Sequence, residues 1–518
     1  MKTFNLADLF EVVVDAVPDR DALVAGEARR TYAELDERAN RVANHLIEAG
    51  VGAGDHVGIQ AWNCAEWVEV MLGCFKARAV PINVNYRYVE DELLYLFDNA
   101  DLLALFVARD LRERVDAVRP ELPALRHVVV FEDDYEDALA TVSGERPAVE
   151  RSPDDPYVLY TGGTTGVPKG TVWRSEDIFM AAMGGGNFGG PPIARPEELA
   201  DKARQNGLRY LVCAPMMHGG GQWVSFICFY GGGTVILYTG RHFDAGEVWA
   251  LAERERAQSV MIVGDAMGRP LAESLEGGGY DLSPLRGVGS GGAILSKTVK
   301  EQLRERLPGV VVTDSFGASE SGASGAVLDF DGPAAGPRFT MAEHTTVLDG
   351  DLQPVAPGSG VIGRLARKGH IPLGYHKDPS NTAATFVERD GVRWVLPGDF
   401  ATVEADGTIT LLGRGSVSIN SGGEKIFPEE VEAALKSHPD VFDAVVVGVP
   451  DDRFGEQVAA VVQARPGTSP ALDALAAHCR TKVAGYKVPR RLVLVEEVER
   501  TPAAKPDYRW AKEVATKA

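Results

Sequence analysis

Thr161-Gly162-Gly163-Thr164-Thr165-Gly166-Val167-Pro168-Lys169-Gly170 follows the apolar run Pro156-Tyr157-Val158-Leu159-Tyr160, and this junction decides how the chain is read. The apolar run predicts a short strand, and the loop behind it combines hydroxyls, glycines and one lysine. Glycines let backbone N–H groups approach phosphate oxygens, Thr161, Thr164 and Thr165 add hydroxyl donors, and Lys169 adds a mobile positive charge. Such a loop suits polyphosphate, placed at the carboxyl end of a strand where open α/β sheets hold ligands. A P-loop is excluded, because that motif needs its lysine to open a helix. Here Pro168 biases Val167 away from the α region and Gly170 follows the lysine, so no helix is expected to start there.

The chain has 518 residues, 45% of them hydrophobic, which predicts two or more globular domains with sizeable cores. No apolar stretch approaches the roughly 20 residues that span a bilayer, so no stable membrane insertion is expected. An acidic residue, Asp8, stands early in Met1-Lys2-Thr3-Phe4-Asn5-Leu6-Ala7-Asp8, where a signal peptide would be apolar, and a cytoplasmic location is expected. Five cysteines without a CxxC pair argue against a disulfide framework or a zinc site and predict reduced core residues. A net charge of -21 excludes nucleic acid as a partner, so a phosphate-bearing ligand must be captured by local cations. The oligomeric state is left open, a homodimer being one option.

Thr31-Tyr32-Ala33-Glu34 has capping-box spacing, and Leu35, Ala39, Val42, Ala43 and Leu46 follow with helical period. Strands at 57–60, 80–82, 211–214, 235–238, 260–263 and 310–313, with a helix at 65–77, predict α/β layers around mostly parallel sheets. From about Gly336 to Gly413 the helical pattern gives way to short strands between turns such as Asp349-Gly350 and Asp406-Gly407. Past Arg414, the helix start Pro428-Glu429-Glu430 and the strand 441–449 open a small α+β unit. The expected fold class is α/β: a large N-terminal domain, 1–413, of layered α/β sheets with a β-rich subdomain, plus a small mobile α+β C-terminal domain, 414–518.

Tyr160 to Gly170, Gly291-Gly292-Ala293, Phe316-Gly317-Ala318-Ser319-Glu320, Pro397-Gly398-Asp399, Gly413-Arg414, Ser421-Gly422-Gly423-Glu424-Lys425 and Lys505 occur in the order found in adenylate-forming enzymes. That family includes acyl-CoA synthetases, peptide-synthetase adenylation domains and firefly-type luciferases, and the resemblance runs nearly the whole length. It implies ATP, Mg²⁺ and coenzyme A as cofactors, with catalytic roles for Lys505, Glu320, Lys169 and Thr165, and Glu320 and Thr165 as the metal-binding pair. ATP or AMP would contact Thr161, Gly162, Gly163, Thr164, Gly166, Gly291, Gly292, Ala293, Asp314, Ser315, Phe316, Gly317 and Ser319. Asp399 resembles the carboxylate that accepts both ribose hydroxyls, and Arg414 would contact the same nucleotide. Coenzyme A would meet Ser421, Gly422, Gly423, Lys425 and Lys487. By the same resemblance the small domain rotates between two orientations, one presenting Lys505 and the other the glycine pair.

The carboxylic acid partner is expected between Pro215 to Trp223 and Gly264 to Pro270, in an acyl pocket of His218, Gly219, Trp223, Gly264 and Met267, with Met216 and Met217 also facing the cavity. The stretches 413–423, 263–270 and 505–513 look like actinobacterial synthetases for steroid side-chain carboxylates. That subgroup also shares Phe316 for the usual tyrosine, Ala504 for glycine, and Val417 and Ser416 at the hinge. The implied activity is an AMP-forming acid-thiol ligase for a bulky alicyclic acid. A medium- or long-chain fatty acid ligase, a carrier-loading enzyme, a luciferase-like oxygenase and a nucleotide sensor are the alternatives, and the short tail after Lys505 is expected to hold no carrier domain.

Overall fold

A computed structural model describes residues 2–161, 168–187, 189–293, 295–326, 338–421, 424–451, 455–501 and 505–518. The predicted capping box is present. Glu34 N–H donates to Thr31 Oγ1 at 3.2 Å and Thr31 N–H to Glu34 Oε2 at 2.8 Å, opening helix Tyr32–Glu48. Its apolar stripe packs against helix Ala65–Ala77 so closely that a Cβ at Gly73 would lie 2.4 Å from Val42 Cγ1. Beside this pair, strands Val80–Asn83, His56–Gln60, Leu102–Val107 and His127–Val130 form an all-parallel sheet in that order.

The longest sheet has fifteen strands among the described residues. One half is parallel and runs Asp21–Ala25, Thr234–Leu237, Arg209–Val212, Ser259–Ile262, Gly287–Gly291 and Val311–Ala318. Beyond Val311–Ala318 every pairing is antiparallel, through Gly322–Ala326 into the β-rich region that ends at Ile409–Arg414. The last parallel strand runs five residues past its expected end at Thr313, because Gly322–Ala326 folds back to satisfy its backbone. Ser319 and Glu320 therefore lie in a turn between two strands.

The carboxyl-terminal part forms its own sheet: Glu424–Ile426, Ile419–Ser421, Gly455–Ala464 and Val441–Asp451, with Arg491–Val495 on Gly455–Ala464. Alternation along Val441–Asp451 sends Ala444 and Val446 toward helices Pro428–Lys436 and Leu472–Arg480, and Val445, Val447 and Val449 toward helix Tyr508–Lys517. Separate cores on the two faces make this lobe self-sufficient. All five cysteines are free, four of them buried. No helix among the described residues is long and apolar enough to cross a membrane.

A buried charge network ties the first helices of the large lobe together. Glu11, fully buried, accepts from Lys76 Nζ at 2.8 Å, from Arg151 Nη2 at 2.7 Å and from Lys2, while Lys76 also meets Asp36 at 2.7 Å. Burial alone would raise the Glu11 pKa, but Lys76, Arg151 and Lys2 outweigh burial and hold it down at about 2. Relative to the ordinary value of 4.5, the ionised form contributes about 3 kcal/mol of stability, present above pH 4.5 and lost as the pH falls through 2. Glu11→Gln is therefore expected to lower the urea midpoint clearly at pH 7, with the difference from wild type shrinking as the pH drops below 4. A difference that stays constant from pH 7 to pH 3 contradicts this assignment.

Candidate active site

Strands Arg209–Val212, Ser259–Ile262, Gly287–Gly291 and Val311–Ala318 run parallel, so the segments leaving their carboxyl ends share one edge, where open sheets bind ligands. Two serines lace that edge. Ser290 Oγ accepts from Gly264 N–H at 3.0 Å, and Ser315 Oγ donates to Ser290 O at 3.0 Å. A Cβ at Gly291 would lie 3.0 Å from Ser315 Oγ and 3.1 Å from Met261 Cε, and exposed Gly292 takes φ +83°, so this shelf needs its missing side chains. Ala293 is half-buried beside it, and Phe316 stacks edge-on against Phe339 with centroids 4.4 Å apart.

The alternation of this strand exposes Ser315 and Gly317 but turns Asp314 inward. Asp314 is 2% exposed, faces Lys300 Nζ at 3.3 Å and accepts from Leu295 N–H at 3.3 Å. Burial pushes its pKa up to about 6, with Lys300 pulling against that rise. Expected among the nucleotide contacts, Asp314 instead holds an internal ion pair beneath the shelf.

Pro156–Thr161 and Lys169–Arg174 form an antiparallel hairpin that sets Thr161 opposite Lys169. The polyphosphate-type loop thus joins hairpin strands, not the end of a parallel strand, and a strand begins at Lys169. A third strand, Gly374–Tyr375, pairs alongside, and His376 N–H donates to Gly170 O at 2.8 Å. Lys169 Nζ lies 5.5 Å from the Tyr375 ring centroid, and the Tyr375 hydroxyl donates to Glu320 Oε1 at 2.8 Å. Trp173 Nε1 donates to Ser319 O at 2.9 Å and fixes the turn that carries Glu320. Lys169, Glu320, Ser319 and Thr161 are thereby brought together. Gly162, Gly163, Thr164, Thr165 and Gly166 lie outside the described residues.

The acyl-side loop is held by amides. Asn83 Nδ2 donates to Tyr160 O and Met217 O, both at 2.7 Å, and Asn63 Oδ1 accepts from Met216 N–H at 2.7 Å. Tyr157 donates to Gln222 Oε1 at 2.6 Å and accepts from Trp223 Nε1 at 3.2 Å. A Cβ at Gly219 would lie 2.8 Å from Leu159 Cδ2 and 3.0 Å from the Trp223 ring. Half-buried His218 directly precedes helix Gly219–Tyr230, and Gly264 begins helix Gly264–Ser274 with φ +55°. Met267 Sδ accepts from Val263 N–H at 3.3 Å. Met216 and Met217, expected to face a cavity, are each 1% exposed and pack inside the large lobe.

Asp399 opens strand Asp399–Val403 and pairs across the ladder with Arg414. Gly413 takes φ +114°, and a Cβ there would fall 2.1 Å from Glu429 Oε2 at the start of the first small-lobe helix. Phe400 and Phe427 meet across the same junction with centroids 5.8 Å apart. Ser421 is buried opposite Gly455. Gly422, Gly423 and the side chains of Arg414 and Lys425 lie outside the described residues. Lys487, expected at coenzyme A phosphates, instead pairs with buried Glu430 at 2.6 Å, so its charge is already engaged within the lobe. Lys505 is exposed on a loop whose base closes by Thr501 N–H donating to Lys505 O at 2.8 Å.

Sequence reasoning passed over Asn83, Trp173 and Tyr375. The available signals were an asparagine closing the apolar strand 80–83 and a tyrosine after Gly374.

Two family models match the chain: AMP-binding enzyme over residues 10–375 and AMP-binding enzyme C-terminal domain over residues 430–505. A 3-oxocholest-4-en-26-oate–CoA ligase of Rhodococcus rhodochrous is 50% identical over 531 residues, covering 98% of this chain and 95% of that protein. A medium/long-chain-fatty-acid–CoA/3-oxocholest-4-en-26-oate–CoA ligase of Mycolicibacterium smegmatis is 51% identical over 532 residues, covering 98% and 96%. Among solved structures, the anthranilate CoA ligase AuaEII in complex with anthranoyl-AMP superposes with a TM-score of 0.86 at 24% identity, covering 100% of this chain and 98% of that one. The lysine hairpin, the glycine shelf and the two-lobe architecture are thus those of a chain that belongs to the AMP-binding enzyme family of adenylate-forming ligases.

Proposed function

We propose that the protein is an AMP-forming acyl-CoA synthetase that adenylates a bulky hydrophobic carboxylic acid of the steroid side-chain class and transfers the acyl group to coenzyme A. The observation that carries this reading is the meeting of Lys169 and Glu320 at Tyr375, together with the glycine shelf at the carboxyl ends of the parallel strands. The names of the two close relatives support the acid class.

In the first step the acid's carboxylate oxygen attacks the α-phosphorus of ATP, the bond to the bridging oxygen breaks and pyrophosphate leaves. Lys169 neutralises phosphate charge from the hairpin, and Asp399 accepts the ribose hydroxyls, a task for an acceptor-only group with two oxygens. Among the described residues no group of three or more His, Cys, Asp and Glu side chains is placed to cage a metal. The single carboxylate of Glu320, oriented by Tyr375, fits Mg²⁺, which takes one or two carboxylates and fills its remaining positions from phosphates and water. Glu320, with Thr165, would hold the ion, which supplies charge neutralisation on the triphosphate. Lys505 stabilises the charge that builds on the transferring phosphoryl group. In the second step the coenzyme A sulfur attacks the acyl carbonyl and AMP departs, with Ser421, Gly422 and Gly423 lining the approach once the lobe turns about 414–417. Free cysteines and the acidic surface suit a cytoplasmic setting.

Acid-dependent exchange of labelled pyrophosphate into ATP, followed by thioester formation across sterol side-chain acids and fatty acids, tests the whole reading. Good rates with the sterol acids are expected, and rates confined to fatty acids would favour the fatty-acid activity in the Mycolicibacterium relative's name. Lys505→Ala should lower pyrophosphate exchange by about 100-fold or more while sparing thioester formation from supplied acyl-adenylate. Equal loss in both halves refutes that role. Tyr375→Phe leaves Glu320 without one charge-assisted donor and should raise the Mg²⁺ concentration for half-maximal exchange by about tenfold. An unchanged Mg²⁺ requirement would show that the hydroxyl does not orient Glu320.

A further inference from the structure

Helix Gly264–Ser274 presents Asp265, Arg269 and Glu273, four residues apart, on one face. Arg269 is 2% exposed, and neither of its terminal nitrogens finds a hydrogen-bond acceptor among the described residues. Its nearest carboxylate, Asp265, stands 3.6 Å away. Against the guanidinium lies the ring of Phe442, 5.4 Å from Cζ to centroid, near the start of the small-lobe strand Val441–Asp451. Arg465, also of the small lobe, approaches the same ring at 5.9 Å and reaches Glu273 Oε1 at 3.3 Å. The ring therefore meets an arginine of each lobe.

A buried guanidinium without hydrogen bonds is costly, and an aromatic face compensates for part of the lost water. The seat also has an address. Asp443, next to Phe442, is held by Arg500, which stands five residues before Lys505 at the base of its loop. Arg500 is close enough to Asp265 for their charges to interact. Asp265 Oδ1 in turn accepts from Ser296 N–H at 2.7 Å, adjacent to the Leu295 N–H held by Asp314 beneath the glycine shelf. The base of the lysine loop thus faces the ligand-bearing edge.

We propose that Arg269 and Phe442 form a positioning seat that holds the small lobe in the orientation serving adenylation, with the face of the aromatic ring as the required element. The proposal rests on the two-step reading above. Wild-type enzyme separates the two: absent pyrophosphate exchange in wild type defeats that reading, whereas normal exchange leaves the seat to be judged by the variants. Phe442→Ala and Phe442→Leu are each expected to lower pyrophosphate exchange by about tenfold, with thioester formation from supplied acyl-adenylate held within about twofold of wild type. Phe442→Trp keeps an aromatic face and should restore most of the exchange rate. Melting temperatures of the three variants check that each is folded. The seat is overturned if both half-reactions fall together, if neither changes, if only thioester formation falls, or if Phe442→Leu exchanges pyrophosphate like wild type.

Discussion

Asn83 is a single buried carboxamide that fixes three parts of the large lobe relative to one another. Its two amide hydrogens reach Tyr160 O and Met217 O, while its oxygen accepts from Tyr160 N–H at 2.8 Å. It closes the edge strand of the four-stranded parallel sheet, grips the end of the hairpin strand Pro156–Thr161 and pins the loop before His218. At 6% exposure, the backbone groups it satisfies would otherwise be buried without partners, each at a cost of about 1–3 kcal/mol. An aspartate there would set a carboxylate against two carbonyl oxygens. Asn83 thereby holds the strand that leads to Thr161 and the loop that leads to His218 at a set separation.

The hairpin transmits that order to Glu320. Gly170 allows the sheet to close over Tyr160, since a Cβ would lie 2.6 Å from the ring carbon Cε2. Trp173 then fixes the Ser319 carbonyl and Tyr375 fixes Glu320. Each contact crosses between segments far apart in sequence, so the site is positioned by packing of two sheets rather than by one local motif. The composition of the loop nevertheless marks where that packing converges.

Legibility followed the range of the interaction. The capping box at Thr31 and Glu34 and the helix behind it were readable because every partner lies within one turn. The parallel strands were readable as short apolar runs, and the change of rhythm after Arg414 matched the start of a separate sheet at Ile419. Strand partners were not readable. Pro156–Thr161 reads like any buried strand, with nothing local to mark its antiparallel partner, and the polar residues after Thr313 read as a strand end because the partner Gly322–Ala326 is not visible in them. Asp314 and Lys487 read as open contacts, since sequence does not reveal that Lys300 and Glu430 neutralise them. Asn83 and Tyr375 escaped attention because a lone polar residue has no period to announce it.

The junction between the lobes follows a different logic from the interior of either. Gly413 combines a backbone conformation unfavourable for L side chains with the close approach of Glu429, so both torsion and space demand glycine there. Val417 falls in the short turn Gly415–Val417 directly after it. The small lobe carries complete cores on both faces of its sheet, and the contacts it makes here with the large lobe include Phe400 with Phe427, Glu429 at Gly413, and Phe442 on Arg269. These contacts pair rings and charges, while each lobe keeps its own core. What joins the two lobes in this arrangement therefore includes a small set of side-chain contacts, and among them the ring of Phe442 lies against a buried charge.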